Sequence, residues 1–149
     1  MLDELDENSG PIFLYGPSGT GKTTLLTRLI PTLKARGLPV FETARGSTES
    51  HQFAIAAAAY GGGQAASKTL RKAGFLACGI GLPIDPVNGD MNGLRIGTPE
   101  LVRWGVTPAH APRLASLIAR SLTTNDPATL AEEVGNWRKS FDKLHFIRA

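Results

Sequence analysis

A glycine-rich run near the start of the chain has the residue types and spacing of a phosphate-binding loop, Gly16-Pro-Ser-Gly-Thr-Gly-Lys22-Thr23. It follows the apolar segment Ile12-Phe-Leu-Tyr15 and precedes a stretch with helical periodicity, which is the strand–loop–helix context that this motif requires. Backbone N–H groups of such a loop and the positive end of the helix bind phosphate. Lys22 is expected to reach the β- and γ-phosphates of ATP or GTP, and the Thr23 hydroxyl to ligate Mg²⁺. The predicted nucleotide-binding residues are Gly16, Ser18, Gly19, Thr20, Gly21, Lys22, Thr23 and Thr24.

A purely structural glycine turn is the alternative interpretation of this run. Hydrolysis would also need an acidic residue at the end of a neighbouring strand to hold the metal. The nearest candidate is Asp85 in Ile80-Gly-Leu-Pro-Ile-Asp85, where Pro83 and two glycines make a poor central strand. The residues therefore predict nucleotide binding better than they predict hydrolysis.

A second set of motifs occupies the rest of the chain, and its members occur in a fixed order. They are Ser50-His-Gln52, Tyr60-Gly-Gly-Gly63, Leu82-Pro-x-Asp85-Pro86, and Gly93-Leu-Arg-Ile-Gly-Thr-Pro99 followed by Arg103-Trp-Gly105. In these motifs residues 38–149 resemble the C-terminal small domain of serine/glycine hydroxymethyltransferases, a family of pyridoxal-phosphate enzymes.

The resemblance implies a role for Arg95, the arginine of the Arg-Ile-Gly-Thr strand, in binding the α-carboxylate of an amino-acid substrate. A guanidinium suits this task because its planar fork makes two parallel charge-assisted hydrogen bonds to a carboxylate. A surface arginine with a local ion pair is the alternative. The family's lysine that binds pyridoxal phosphate lies in a large N-terminal domain, and Lys22, Lys68 and Lys72 are not suitable substitutes. Cys78-Gly-Ile80 stands where the family carries Asn-x-Asn, which leaves the use of folate open.

Residues 11–41 carry a different resemblance. The sequence from Thr24 to Gly37 contains Thr-Leu-Leu, Leu-Ile-Pro and Lys-Ala-Arg-Gly. In these features it is similar to the nucleotide-binding accessory protein of molybdopterin guanine-dinucleotide assembly. The His-rich continuation of that family is absent here.

Several other residues have ordinary interpretations. Cys78 on an apolar segment is expected to be a small buried hydrophobe, and the three histidines lack metal-ligand spacing. Gly61-Gly-Gly63 could cradle a phosphate, but a turn before a helix explains it.

The elements that must position these residues can be predicted from periodicity and helix-start signals. A helix after Lys22 should be kinked at Pro31 and end at Gly37. Three further helices should begin at Thr98-Pro99, Thr107-Pro108 and Asp126-Pro127, the last two ending near Ser121 and Leu144. The remaining predicted elements are strands at Ile12–Tyr15, Leu38–Phe41, Gln52–Ala56 and Phe75–Cys78, a helix over Gln64–Ala73 and a loop over Gly79–Gly93.

Composition restricts the class of protein. The chain has 149 residues, 42% of them hydrophobic and 19% charged, with a net charge of +3 and one cysteine. Its basic residues are spread out, so nucleic acid is not an expected partner. No apolar run approaches the length that spans a bilayer, and a reducing, cytoplasmic location is expected.

Together these observations predict an α/β fold with two parts: an incomplete phosphate-loop strand–helix–strand unit over residues 1–41 and a small α+β domain over residues 42–149. The leading functional hypothesis is a hydroxymethyltransferase-like segment of an aldol-type pyridoxal-phosphate enzyme. It would bind an amino acid through Arg95 and stay inactive without a large domain, supplied by a partner chain or within a homodimer. The alternative is a nucleotide-binding module that holds Mg-ATP or Mg-GTP.

Overall fold

The structure is a computed structural model and describes residues 12–13, 23–42, 52–97 and 99–143. Strand β1 is Ile12–Phe13 and helix α1 is Thr23–Ala35. They are followed by β2 (Gln52–Ala56), α2 (Gly63–Ala73), β3 (Phe75–Leu76), β4 (Cys78–Ile80), β5 (Gly93–Gly97), α3 (Pro99–Arg103), α4 (Ala111–Thr123) and α5 (Ala131–Lys139). Short 3-10 turns cover Ala58–Tyr60, Pro108–His110 and Pro127–Leu130.

The described strands form two small sheets. In the first, β5 lies between β2 and β4, and both neighbours run antiparallel to it. In the second, β1 pairs with β3 in parallel, with Ile12 beside Phe75. Val40 makes an isolated antiparallel bridge to Ile55 and so extends the first sheet beyond β2. The larger sheet is the one that carries Arg95.

The two faces of the three-stranded sheet differ in residue type because side chains alternate along each strand. On one face Phe53, Ile55, Leu94 and Ile96 are all buried in the core. On the other face Arg95 lies on the central strand, with Ala54 and Cys78 as its cross-strand partners. The sheet therefore presents Arg95 on the face that does not carry these four core side chains.

Helices cover the core face of the sheet. Five apolar residues at helical spacing bury one side of α1, which packs against α4, and they are Leu25, Leu26, Leu29, Ile30 and Leu33. Helix α2 packs against β4 and β5. Close approach of α2 requires glycine, because a Cβ on Gly63 would lie 2.1 Å from the carbonyl oxygen of Gly93. Ile12 and α1 share one core with the later elements, and the predicted division at residue 41 stays a prediction.

Helix α1 continues through Pro31, and the predicted kink there stays a prediction. It runs without interruption from Thr23 to Ala35 and contains Pro31, which is exposed. Buried Leu29 and Leu33 anchor the helix on both sides of the proline, so packing outweighs the local penalty. The predicted stop is confirmed, since Gly37 has a φ of +85° just beyond the helix.

Two predicted strands are shorter than expected. The predicted strand Phe75–Cys78 is divided at Ala77, where the chain passes from the small sheet to the larger one. The Ser67 hydroxyl donates a buried hydrogen bond of 2.8 Å to the Ala77 carbonyl, which replaces a ladder bond at that point. The predicted strand Leu38–Phe41 is reduced to the Val40 bridge. In contrast, β2 has the predicted bounds Gln52–Ala56.

The later helices begin less regularly than predicted. After Thr107 and Asp126 the chain first makes 3-10 turns, and regular α-helix starts only at Ala111 and Ala131. Proline at the first position fixes φ and supplies no N–H, which is compatible with a tight first turn. Helix α5 ends at Lys139 instead of Leu144, and residues 144–149 lie outside the described part of the chain. In the described segments no helix is long and apolar enough to cross a membrane.

Candidate functional site

Arg95 lies at the centre of a sheet face built mainly from small residues. Its cross-strand partners are Ala54 on β2 and Cys78 on β4. The neighbours on the same face of its own strand, Gly93 and Gly97, have no side chains. Directly paired residues place their Cβ atoms about 4.5–5.5 Å apart, so only a methyl group and a thiol flank the base of the arginine. The residues paired directly with Arg95 are thus small, and the larger Ile80, paired with Gly93, lies diagonal to it on the same face.

The Arg95 side chain is anchored at its base by the protein. The residue is half-buried, and its Nε atom is inaccessible to solvent. Burial of Nε restricts the orientation of the planar guanidinium, which fixes the direction of the fork. This arrangement suits recognition of one planar acidic group from a defined direction. The prediction that Arg95 binds a carboxylate stays a prediction, and its position is compatible with it.

The loop that joins β4 to β5 is fastened by Asn92, a residue that sequence reasoning missed. Asn92 is 8% exposed. Its Oδ1 accepts a 2.6 Å hydrogen bond from the Leu82 N–H, and its Nδ2 donates to the carbonyl oxygens of Leu82, Ile84 and Asp85 at 2.9, 3.1 and 3.2 Å. One buried amide therefore holds the backbone of the Leu82-Pro-Ile-Asp85 segment. Its only sequence signal is an asparagine directly before a glycine.

The N-terminus of α2 is capped by Asp90 from the same loop. The Asp90 carboxylate accepts hydrogen bonds from the backbone N–H groups of Gln64 (2.9 Å) and Ala65 (3.0 Å). These bonds, together with a bond from Met91 N–H and the nearby Lys68 charge, hold the pKa of Asp90 below its ordinary value. The Asp90 carboxylate therefore occupies the backbone N–H groups that would have to bind a phosphate at this helix start. The interpretation of Gly61–Gly63 as a turn before a helix fits the structure.

The described residues do not provide a site for pyridoxal phosphate on their own. That cofactor needs a lysine to hold it covalently. No lysine belongs to the three strands around Arg95. The five described lysines are exposed on helices or after them, and they are Lys34, Lys68, Lys72, Lys139 and Lys143.

The predicted nucleotide-binding residues fall mostly outside the described part of the chain. Gly16, Ser18, Gly19, Thr20, Gly21 and Lys22 lie there, whereas Thr23 and Thr24 are the first two residues of α1. The predicted metal ligand Thr23 therefore begins the helix, as the motif requires. Asp85 is exposed in the loop between β4 and β5 and does not end a parallel strand.

Of the remaining candidates, Cys78 and His110 lie in the described residues, whereas His51 and His145 lie outside them. Cys78 is half-buried on β4. Nδ1 of His110 accepts a 2.9 Å hydrogen bond from the Thr107 N–H at the turn before α4. Among the described residues, no three histidine, cysteine or acidic side chains are close enough to hold a metal ion.

Comparison with known proteins finds alpha-methylserine aldolases and serine hydroxymethyltransferases among the relatives of this chain. Alpha-methylserine aldolase of Ralstonia sp is 56% identical over 117 residues, which cover 78% of this chain and 27% of that enzyme. The aldolase of Variovorax paradoxus is 56% identical over 119 residues, or 80% of this chain and 27% of the enzyme. Serine hydroxymethyltransferase of Aeropyrum pernix is 34% identical over 137 residues, or 89% of this chain and 31% of the enzyme. No protein-family model matches the chain.

A solved structure shows the same fold. L-threonine transaldolase from Pseudomonas fluorescens has a TM-score of 0.67 to this chain at 24% identity, over 80% of this chain and 27% of the transaldolase. The C-terminal region of the chain therefore resembles pyridoxal-phosphate enzymes of the serine hydroxymethyltransferase type. The chain spans 27% to 31% of the length of these curated relatives. The names of these relatives give no support to a nucleotide site, which stays a prediction.

Proposed function

We propose that this chain is the carboxylate-binding segment of an aldol-type pyridoxal-phosphate enzyme. Its substrate would be a short β-hydroxy amino acid, as the name of the alpha-methylserine aldolases indicates for those relatives. Arg95 would bind the α-carboxylate through its guanidinium fork. Fixing the carboxylate orients the α-carbon, whose bond to be broken must stand in a defined direction.

The observation that carries this proposal is the setting of Arg95. A long cationic side chain lies on the middle strand of the sheet, its directly paired residues Ala54 and Cys78 are small, and its Nε is buried. A structural ion pair would not require small residues on both flanking strands. An incoming ligand needs space beside the arginine, and the small cross-strand partners Ala54 and Cys78 leave more of it than large side chains would.

The cofactor would be held by another part of the enzyme. The described residues offer no lysine on the Arg95 face, and the relatives are more than three times as long as the matched region. A partner chain, or a homodimer partner within a longer enzyme, would supply the lysine-bearing domain. The described residues by themselves would then not act as a transferase or aldolase.

Carboxylate binding can be tested by following the Arg95 Nε–H resonance by NMR during titration with L-serine. The expected result is a saturable shift with L-serine and none with L-serinamide, which lacks the carboxylate. Arg95→Lys keeps the charge and loses the fork, so the affinity should fall. Equal shifts with the acid and the amide would show that Arg95 does not recognise the carboxylate.

The missing cofactor lysine has its own test. Mixed with pyridoxal phosphate, the purified chain should not develop the absorbance band of lysine-bound cofactor. A band that disappears on borohydride treatment would show that a lysine of this chain binds the cofactor, and that part of the proposal would be wrong.

Nucleotide binding through residues 16–24 is the second candidate function. The observation in its favour is the order of the flanking elements, because β1 precedes the glycine run and α1 begins at Thr23 directly after it. Calorimetric titration with Mg-ATP and Mg-GTP should give measurable heat with the native chain and none with Lys22→Ala. Negligible heat with both proteins would remove this candidate.

A further inference from the structure

Leu82, in the loop between β4 and β5, lies on the same face of the sheet as Arg95. Gly93 and Arg95 are two residues apart on β5, so they share a face. A Cβ placed on Gly93 would be 2.6 Å from both Cγ and Cδ1 of Leu82. The leucine side chain therefore lies directly against the Cα of Gly93, where a larger residue would exclude it.

Leu82 lies near Arg95 along the strand, because it contacts the position of Gly93, two residues from Arg95 on β5. Two residues along a strand span about 6.6 Å, and a guanidinium fork reaches a similar distance from its own Cα. Leu82 thus borders the space in which a carboxylate bound to Arg95 would carry its α-carbon. At the opposite end of β5, Gly97 contributes no side chain to this face.

Asn92 determines where Leu82 lies. It accepts a hydrogen bond from the Leu82 N–H and donates one to the Leu82 carbonyl, so the residue is held from both sides of its Cα. Asn92 is itself buried, and its backbone carbonyl accepts a 2.9 Å hydrogen bond from the Ala57 N–H. The position of Leu82 is therefore fixed by the fold and does not depend on a ligand.

We propose that Leu82 is the specificity-determining wall of the Arg95 site and that Asn92 positions it. This inference rests on the proposed function. A ligand whose carboxylate is held by Arg95 has one α-substituent directed toward Leu82 and another toward Gly97. The Leu82 side admits only a small group, so the site selects short amino acids of one handedness.

Cys78 makes this geometry measurable, because it is the only cysteine of the chain, is half-buried and faces Arg95 across the strands. The probes are bromoacetate, bromoacetamide and the two enantiomers of 2-bromopropionate. In each reaction the Cys78 sulfur forms a bond to the α-carbon, the carbon–bromine bond breaks, bromide leaves and the thiol proton goes to solvent. With the carboxylate on Arg95 and the α-carbon in line with sulfur, the methyl group of one enantiomer points toward Leu82.

The enantiomers react equally with an achiral thiol, so any difference at Cys78 comes from the protein. A fully enclosed methylene can give 10- to 200-fold discrimination, and for a half-exposed wall we expect about 3- to 10-fold. Leu82→Ala and Asn92→Ala should bring the ratio close to one. Ile84→Ala, at an exposed leucine-sized side chain of the same loop, is the matched control and should keep the native ratio.

The outcomes separate this inference from the proposed function. Bromoacetate should alkylate Cys78 faster than bromoacetamide, relative to their rates with glutathione, and Arg95→Gln should abolish that preference. If Arg95→Gln has no effect, carboxylate capture is wrong whatever Leu82 does. The carboxylate preference could be present while the two enantiomers react equally with the native chain, or while Leu82→Ala keeps the native ratio of their rates. Either result would show that Leu82 does not determine specificity. Leu82→Phe is the second variant, and it should raise the ratio or block both enantiomers.

Discussion

Replacing Asn92 by alanine should destabilise the protein far more than an ordinary loop substitution. The side chain is 8% exposed and makes four hydrogen bonds to the backbone of one loop segment. Its Nδ2 has two hydrogens for three carbonyl oxygens, so one hydrogen is shared and the set is equivalent to about three bonds. At about 1 kcal/mol net for each bond, Asn92→Ala should cost about 3 kcal/mol of the free energy of unfolding.

That loss is large compared with the total stability expected for one domain, about 5–15 kcal/mol. With a denaturant slope of about 2 kcal/mol/M, the urea midpoint should fall by about 1.5 M at unchanged slope. Asn88→Ala is the matched control, since Asn88 is exposed in the same loop, and it should change stability by less than about 0.5 kcal/mol. Equal midpoints for the two variants would refute the argument that the Asn92 bonds hold the loop.

Two further predictions concern the elements around the site. Because N–H bonds lower the pKa of Asp90 below 3.8, its contribution to stability is present above that pH and is lost as the pH falls through the lower folded value. Urea midpoints measured from pH 6 to pH 3 should therefore fall more steeply for the native chain than for Asp90→Asn. Asp142→Asn, at an exposed position, is the control and should follow the native curve. Parallel curves for the native chain and Asp90→Asn would contradict the capping role of Asp90. Gly63→Ala should destabilise by about 1–3 kcal/mol or more, because its Cβ would meet a backbone oxygen at 2.1 Å. Gly135→Ala is the control, because Gly135 lies in α5 with open space around it, and it should stabilise the protein by up to about 1 kcal/mol. If thermal unfolding ranked the two variants in the opposite order, the close packing of α2 on the sheet would be wrong.

The parts of the fold that depend on local pattern could be predicted from the sequence. The short apolar run in Gln52–Ala56 indicated the bounds of β2, and the three glycines indicated the start of α2. The ordered motifs correctly indicated the kind of enzyme that the C-terminal region resembles.

Long-range contacts could not be predicted in this way. The carboxylate that caps α2 belongs to Asp90, 26 residues beyond Gln64 in the chain. The residue types around Gly62 carry no signal for this contact. At the break between β3 and β4, the Ala77 carbonyl accepts a hydrogen bond from the Ser67 hydroxyl of a separate helix. The position of Leu82 depends on Asn92, whose four partners are all backbone atoms and leave no pattern in residue types.

We propose that Arg95 holds the substrate carboxylate within a complete pyridoxal-phosphate enzyme. The most direct measurement replaces the corresponding segment of a full-length alpha-methylserine aldolase with residues 52–143 of this chain and determines kcat/KM for alpha-methylserine. The hybrid should be active, and Arg95→Gln should lower kcat/KM by at least about 100-fold with cofactor binding unchanged, since two charge-assisted hydrogen bonds are lost. A hybrid that binds the cofactor and retains nearly full activity without Arg95 would contradict the account.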